Sequence, residues 1–141
     1  MKIGITGTRE GMNDHQRRMI ICRFELMARD TPELIHEIHH GDCVGVDVQV
    51  AEIAKSFGHK IVCHPPIKHE MRGYFASDET RPPYGYLQRD RNIVDETEFL
   101  IVVPKENERQ LTSGTWYTHD YAKGKSKDLV IIFPDPPDED D

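Results

Sequence analysis

Three glycine- and hydroxyl-rich segments carry the residue types from which phosphate-binding turns are built. They read Thr6-Gly7-Thr8-Arg9, Gly41-Asp42-Cys43-Val44-Gly45-Val46-Asp47 and Thr112-Ser113-Gly114-Thr115. Each follows a predicted strand and precedes a predicted helix, whose first amides favour an anion, and glycine lets the backbone approach a phosphate closely. Strand-to-helix turns also favour glycine for steric reasons alone, so a structural role is the alternative. The recurrence of three such turns, with Arg9 beside the first, favours a phosphate-bearing ligand.

A charged cluster, Gln88-Arg89-Asp90-Arg91-Asn92, lies at the predicted start of a helix. Arginine binds phosphate or carboxylate through two parallel hydrogen bonds, which makes this segment a second candidate for contact with an anion. A solvated helix face is the other interpretation. No GxGxxG motif follows a strand and no Walker A loop is present, so the sequence lacks the fingerprints of nicotinamide-binding and P-loop proteins.

The eight histidines raise the question of a metal site. The densest group contains His36, His39, His40, Asp42 and Cys43, but on a strand His36 and His40 share one face while His39 points to the other. The spacing differs from the helical HExxH motif, and no distant third ligand is evident. We therefore predict polar histidines at a strand end, with no metal and no cofactor.

Five short apolar runs alternate with helical patterns, which is typical of a parallel α/β sheet. The predicted strands are 2–6, 34–40, 60–63, 98–103 and 128–133, and the predicted helices are 14–29, 47–57, 86–96 and 114–122. The first helix has residues at spacings of three and four that predict one apolar, buried face: Met19, Ile20, Cys22, Arg23, Leu26 and Met27. Residues 65–85 hold four prolines and no period, and we predict that they form a loop that acts as a flap.

These elements predict a single Rossmann-like three-layer domain over residues 1–133, with a mainly parallel sheet of about five strands. In such a sheet, ligands bind beyond the carboxyl ends of the strands, where the three glycine turns fall. The turns and the predicted helices therefore converge on one site.

Composition and charge indicate whether the chain has the basic surface of a nucleic-acid-binding protein. The 141 residues include 18 basic and 25 acidic side chains, for a net charge of −7. Five of the acids lie in residues 134–141, which we predict to be a disordered acidic tail; residues 1–133 carry 18 basic against 20 acidic groups, or −2. A body this close to neutral disfavours a nucleic-acid partner.

Targeting signals are not evident in the sequence. No apolar run approaches the ~18 residues of a membrane span, and the first residues lack the apolar region of a signal peptide. Three widely spaced cysteines without a CxxC pair fit reduced thiols. We expect a cytoplasmic protein without a membrane partner.

The order of the motifs resembles that of the SLOG superfamily, which joins the DprA/Smf and LOG proteins, and in particular its small stand-alone members related to YspA and YpsA. The resemblance covers nearly all of residues 1–133. It implies a nucleotide, nucleoside monophosphate or ADP-ribose-type ligand, and it implies self-association into a homo-oligomer. The implied ligand-binding residues are Gly7, Thr8, Arg9, Gly41, Asp42, Gly45, Asp47, Arg91, Asn92, Ser113, Gly114 and Thr115.

A departure from the family pattern bears on catalysis. LOG enzymes hydrolyse the base from a nucleoside monophosphate and carry a PGGxGTxxE motif, whereas this chain has Thr118 in place of the glutamate. A carboxylate there stabilises the charge that develops on the ribose or attacks C1′, and threonine does neither. Nothing in the sequence separates the other acid–base candidates, which are Asp42, Asp47, Asp90, His119 and Asp120.

We therefore predict that the chain binds its ligand without catalysis, as a sensor, carrier or sequestering protein. A nucleotide N-glycosidase or phosphoribohydrolase is the first alternative. A DprA-like binder of single-stranded DNA is the second, and it would need a basic stripe with aromatic side chains.

Overall fold

A computed structural model describes residues 1–136; the last five residues of the predicted acidic tail lie outside the described part of the chain. The strands are β1 (Lys2–Gly7), β2 (Glu37–His40), β3 (Lys60–Cys63), β4 (Glu79–Thr80), β5 (Phe99–Val103) and β6 (Asp128–Ile131). The helices are α1 (Asp14–Asp30), α2 (Val46–Ser56), α3 (Tyr86–Glu96) and α4 (Gly114–Gly124).

The strands form one parallel sheet in the order β4-β3-β2-β1-β5-β6, which confirms the predicted α/β class. The chain builds outward from β1 to β4 and then crosses to the other side of β1 for β5 and β6. The sheet has six strands where about five were predicted. The additional strand, β4, has two residues and pairs with Val62 and Cys63, so it is too short to leave a sequence pattern.

Apolar side chains cover both faces of the sheet. One core contains Ile5 and Ile38 from the strands, Phe24 from α1 and Val50 from α2. A smaller core on the other face contains Val94, Leu100, Val102 and Ala122, which come from α3, β5 and α4. Burial on both faces is the reason that the strands read as continuous apolar runs. No helix within residues 1–136 has the length and apolar character needed to cross a membrane.

The buried face of α1 agrees with the predicted one only in part: Ile20 is buried and Met27 packs against the core, as expected. Gln16, Ile20 and Phe24 are buried, whereas Met19 and Leu26 are exposed. The side-chain amide of Gln16 donates to the carbonyl oxygens of Pro104 at 2.8 Å and Ile132 at 2.9 Å. Its Oε1 accepts a hydrogen bond from the backbone amide of Asn13, the N-cap residue of α1, at 3.1 Å. A fully bonded glutamine can occupy the core, so counting apolar residues alone missed Gln16 and included the exposed Met19 and Leu26.

The start of β2 also differs from the prediction. Leu34 and Ile35 were assigned to the strand, but both are exposed, and the pairing of β2 with β1 begins at Glu37. The Leu34 amide donates to the carbonyl oxygen of Thr31 at 3.1 Å, so these residues belong to a turn after α1.

Candidate functional site

A cleft of about 460 Å³ opens at the carboxyl ends of β1 and β5. These two strands flank the point at which the strand order reverses, which is where open α/β sheets bind ligands. The walls come from the turn after β1, the first turn of α3, and the loop and first turn of α4.

The cleft brings together seven of the predicted site residues: Gly7, Thr8, Arg9, Asp47, Ser113, Gly114 and Thr115. The remaining predicted residues, which are Gly41, Asp42, Gly45, Arg91 and Asn92, do not line it. Two of these five, Gly41 and Gly45, support the cleft from behind, as the contacts below show.

The turn after β1 is held by close packing against the start of α2. The Thr8 amide donates to the carbonyl oxygen of Val103 at 3.1 Å, and the Val46 amide donates to the carbonyl oxygen of Thr8 at 3.1 Å. Gly45 has φ +92°, and a Cβ at this position would lie 2.5 Å from the carbonyl oxygen of Arg9. Gly45 therefore positions the Thr8–Arg9 turn without touching the cleft.

Arg9 is an exposed cation of the cleft whose donors are free. Its guanidinium lies over the Tyr86 ring, 5.5 Å from the ring centroid, and within residues 1–136 it forms no ion pair or side-chain hydrogen bond. Lys105, by contrast, pairs with Glu10 at 2.9 Å. Arg9 is thus placed to bind an anion without first breaking an existing pair.

Arg89 is a buried cation of the cleft, and it was not among the predicted ligand-binding residues. Its side chain lines the cleft, although the residue is only 5% exposed. Nε donates to Asp90 Oδ1 at 2.7 Å, and Nη1 donates to the carbonyl oxygen of Gly41. A Cβ at position 41 would lie 2.6 Å from Nη1, so glycine at this position makes room for the guanidinium.

Arg91 and Asn92 turn away from the cleft. Arg91 Nη2 donates to Gln88 Oε1 at 3.0 Å, and Gln88 Nε2 donates to Asn92 Oδ1 at 2.8 Å. Arg89 lies one helical turn before the buried Ile93 and shares its inward face. That spacing is the sequence signal that points to Arg89 rather than to Arg91.

Asp47 is a buried carboxylate in the floor of the cleft. Its Oδ2 accepts hydrogen bonds from the amides of Gly41 at 3.0 Å and Cys43 at 3.2 Å. Burial raises the pKa of Asp47 to about 6, and the nearby Arg89 guanidinium opposes this rise. Burial likewise raises the pKa of Asp90, against the same guanidinium. The floor therefore holds two acidic groups around one arginine.

Asp42 anchors the segment 65–85 instead of lining the cleft. This wholly buried carboxylate accepts from Arg72 Nε at 2.9 Å and from the Phe75 amide at 2.9 Å. Farther along, the Arg81 amide donates to the carbonyl oxygen of Cys63 at 2.8 Å. The segment is held along the β3 edge of the sheet, and none of its residues lines the cleft.

The first turn of α4 closes the other side of the cleft. Ser113 caps the helix, since its hydroxyl accepts from the amides of Thr115 at 3.2 Å and Trp116 at 3.4 Å. A Cβ at Gly114 would lie 3.9 Å from Asp90 Oδ2, so that carboxylate faces the turn. Trp116, which is 6% exposed, adds an aromatic wall.

The structure separates the acid–base candidates that the sequence left equal. Asp47 and Asp90 line the cleft, whereas Asp42, His119 and Asp120 do not. Thr118, which stands where LOG enzymes have glutamate, is buried and donates to the carbonyl oxygen of Gly114 at 2.8 Å.

No family model and no curated protein matches the chain. Several solved structures match the chain in fold. The molybdenum cofactor binding protein of the phototrophic bacterium Rippkaea orientalis has a TM-score of 0.70 and 18% identity, over 95% of this chain and 77% of that one. The Moco carrier protein of Chlamydomonas reinhardtii has a TM-score of 0.66 and 19% identity, over 96% of this chain and 77% of that one.

DNA processing protein A (DprA) of Streptococcus pneumoniae has a TM-score of 0.69 and 16% identity, over 98% of this chain and 51% of that one. This chain therefore spans about half the length of DprA. At identities this low the likeness is one of fold, and it agrees with the single Rossmann-like domain that the sequence predicted.

Proposed function

We propose that the chain binds a nucleotide or nucleotide-derived ligand, of the nucleoside monophosphate or ADP-ribose type, in the cleft between β1 and β5. The observation that carries the proposal is the Arg9 guanidinium, which is exposed at the cleft and forms no ion pair within residues 1–136. A phosphate bound there gains charge-assisted hydrogen bonds at no cost to an existing pair.

The distribution of polar groups in the cleft suits the parts of such a ligand. The phosphate binds at Arg9 and the turn after β1, because the amides of Thr115 and Trp116 are already bonded to Ser113 and the Asp90 carboxylate faces the start of α4. The buried carboxylates of Asp47 and Asp90 accept hydrogen bonds from sugar hydroxyls, and Trp116 borders the space for the base. The volume of about 460 Å³ is within the range of small-molecule pockets.

Structural neighbours support a role in holding a small molecule. Two of them are described as a molybdenum cofactor binding protein and a Moco carrier protein. This supports a carrier, sensor or sequestering role for the cleft but does not identify its ligand. The molybdenum cofactor therefore belongs among the compounds to test.

A thermal-shift screen of nucleoside monophosphates, NAD, ADP-ribose and the molybdenum cofactor tests the proposal. A ligand at about 100 times its Kd adds about 2.7 kcal/mol of apparent stability, which gives a clear rise in Tm. We expect one nucleotide class to raise the Tm of the wild type and of Arg91→Ala, but not that of Arg9→Ala. A flat panel, or a shift of equal size in Arg9→Ala, would overturn the proposal.

Hydrolysis of the N-glycosidic bond is the second candidate function, and the position of Asp90 favours it. Its carboxylate faces the first turn of α4, close to Thr118, and so supplies an acidic group where the family glutamate is missing. Chromatography of each bound nucleotide should then detect free base. Asp90→Asn should retain binding and lose this release. Absence of base above the uncatalysed rate would remove this candidate.

Three further expectations stay predictions: self-association, a cytoplasmic location and disorder of the acidic tail. Size-exclusion chromatography with light scattering tests the first. DNA binding stays disfavoured, and an oligonucleotide in the thermal-shift panel tests it directly.

A further inference from the structure

Two buried histidines and a glutamate converge on the sheet face that carries α3. Ile38 belongs to the core under α1 and α2, so its neighbour His39 faces the opposite side of β2. There His39 Nδ1 lies 2.8 Å from Nε2 of His64, which follows β3. Glu96 Oε2, at the end of α3, lies 3.1 Å from His64 Nε2 and 3.6 Å from His39 Nδ1. His64 and Glu96 are thus the distant partners of His39 that were not evident from the sequence.

The spacing of these three atoms matches a metal coordination sphere. Nitrogen and oxygen ligands about 2.0–2.2 Å from a tetrahedral ion are about 3.3–3.5 Å apart, and the observed edges of 2.8, 3.1 and 3.6 Å bracket that value. We propose that His39, His64 and Glu96 bind a divalent transition metal ion of the Zn²⁺ class. Three protein ligands leave a fourth position for water or another ligand.

The hydrogen bonding around His39 supports this assignment. His39 Nε2 lies 3.1 Å from Glu37 Oε1, and because a carboxylate only accepts, Nε2 carries the proton. Nδ1 therefore presents a bare lone pair to His64 and Glu96. A ligating histidine typically donates its other N–H to a carboxylate in this way, which fixes its ring and its tautomer.

Burial of the two histidines suits metal ligation. The side chains of His39 and His64 are 0% and 3% exposed, and a buried imidazole favours the neutral form, which is the form that coordinates a metal. Without an ion, the three atoms that converge have at most one proton between them, which His64 Nε2 carries. The other two, His39 Nδ1 and Glu96 Oε2, are acceptors.

The charges that face the cluster favour a cation. Glu37 and Glu96 contribute two negative charges, and Arg81 contributes one positive charge through its contacts to both Glu96 oxygens at 3.2 Å. The side chain of Glu96 is 40% exposed, so an ion can reach it from solvent. Arg81 thus contacts the same carboxylate that approaches the two histidines.

A second group of potential ligands, His40, Asp42 and Cys63, is less suited to a metal. Both ring nitrogens of His40 are already engaged, Nδ1 by the Asp42 amide at 2.9 Å and Nε2 by the Ser77 hydroxyl at 3.0 Å. All three side chains are also buried, so an ion has no solvent-exposed ligand by which to enter. This group provides the control for the experiment.

Calorimetric titration of Zn²⁺ into the full chain, without a polyhistidine tag and after treatment with a chelator, tests the proposal. We expect one tight site per chain in the wild type and its loss in Glu96→Gln, at a half-exposed position that tolerates substitution. Glu37→Gln should weaken binding about 10–100-fold, which is the usual effect of removing the carboxylate behind a ligating histidine. Cys63→Ser and the exposed His69→Ala should bind Zn²⁺ as the wild type does.

Cobalt substitution gives a second readout that does not depend on affinity. Co²⁺ bound by two histidines and a carboxylate should absorb in the visible range without a thiolate charge-transfer band. Circular dichroism of each variant confirms its fold. Absence of Zn²⁺ binding in the wild type, binding that persists in Glu96→Gln, or a thiolate band that disappears in Cys63→Ser would each overturn the proposal.

Discussion

Replacing Asp47 by asparagine should stabilise the protein relative to the wild type by an amount that grows with pH. The carboxyl group has a pKa of 3.8 in its ordinary state and about 6 in the fold, where burial disfavours the anion. The protonated carboxyl group therefore makes its full contribution to the free energy of unfolding below about pH 4. This contribution is lost as the pH rises through about 6. Asparagine keeps an oxygen for the two backbone amides and removes the titration.

The two pKa values set the size of the effect. At about 1.4 kcal/mol for each pH unit, their difference amounts to about 3 kcal/mol in the free energy of unfolding. Because the unfolded carboxyl group is already partly ionised at pH 4, the advantage of Asp47→Asn over the wild type should be about 2.5 kcal/mol larger at pH 7 than at pH 4. Since Asp47 is 6% exposed, solvent does little to screen this cost.

Urea unfolding of both proteins at about pH 4, 5, 6 and 7 measures this difference. The fluorescence of Trp116, the single tryptophan, reports the transition. Asp128→Asn, at an exposed position on β6, removes the same charge and gives the baseline. A difference between Asp47→Asn and the wild type that stays constant from pH 4 to pH 7, or shrinks, would refute the reasoning that burial governs this carboxyl group.

Three other substitutions test the contacts that build the site. Arg9→Ala should weaken binding of the nucleotide by about 1.5–3 kcal/mol in calorimetry, the size of a hydrogen bond to a charged group, whereas Arg91→Ala should leave the affinity unchanged. Gly45→Ala should lower the free energy of unfolding by more than about 1 kcal/mol, because φ is +92° and the methyl group meets backbone. Arg72→Ala should lower it by about 3 kcal/mol, because the wholly buried Asp42 loses its cation.

Each of these predictions has a clear contrary result. Equal affinities of the two arginine variants would show that the phosphate binds elsewhere. A Gly45→Ala protein as stable as the wild type would mean that the turn relaxes without cost. Wild-type stability of Arg72→Ala would show that the buried pair contributes nothing to the fold.

The order of the main elements could be predicted because parallel strands buried on both faces are continuous apolar runs between glycine and proline. The bounds of β3 and α3 matched the prediction for this reason. The buried face of α1 was predicted only in part, because Gln16, a polar residue, is buried with its hydrogen bonds satisfied. Such a residue is invisible to a count of apolar side chains.

The sequence placed the glycine turns at one end of the sheet, but it did not identify the groups that meet there from distant parts of the chain. Arg89 could have been selected from its spacing to Ile93. The meeting of His39, His64 and Glu96 could not, because it requires the adjacency of β2 and β3 and the position where α3 ends. Such contacts follow from strand order and helix length together.

The contact of Gly45 with the carbonyl oxygens of Thr8 and Arg9 has a kinetic consequence for any ligand of the cleft. Because folding already fixes this turn between α2 and β5, its conformational entropy is lost before the ligand arrives. Capture then needs no rearrangement of this turn, and its rate at the turn depends on diffusion and on the charge of Arg9. Differences in affinity among ligands should accordingly arise from how long each one stays bound.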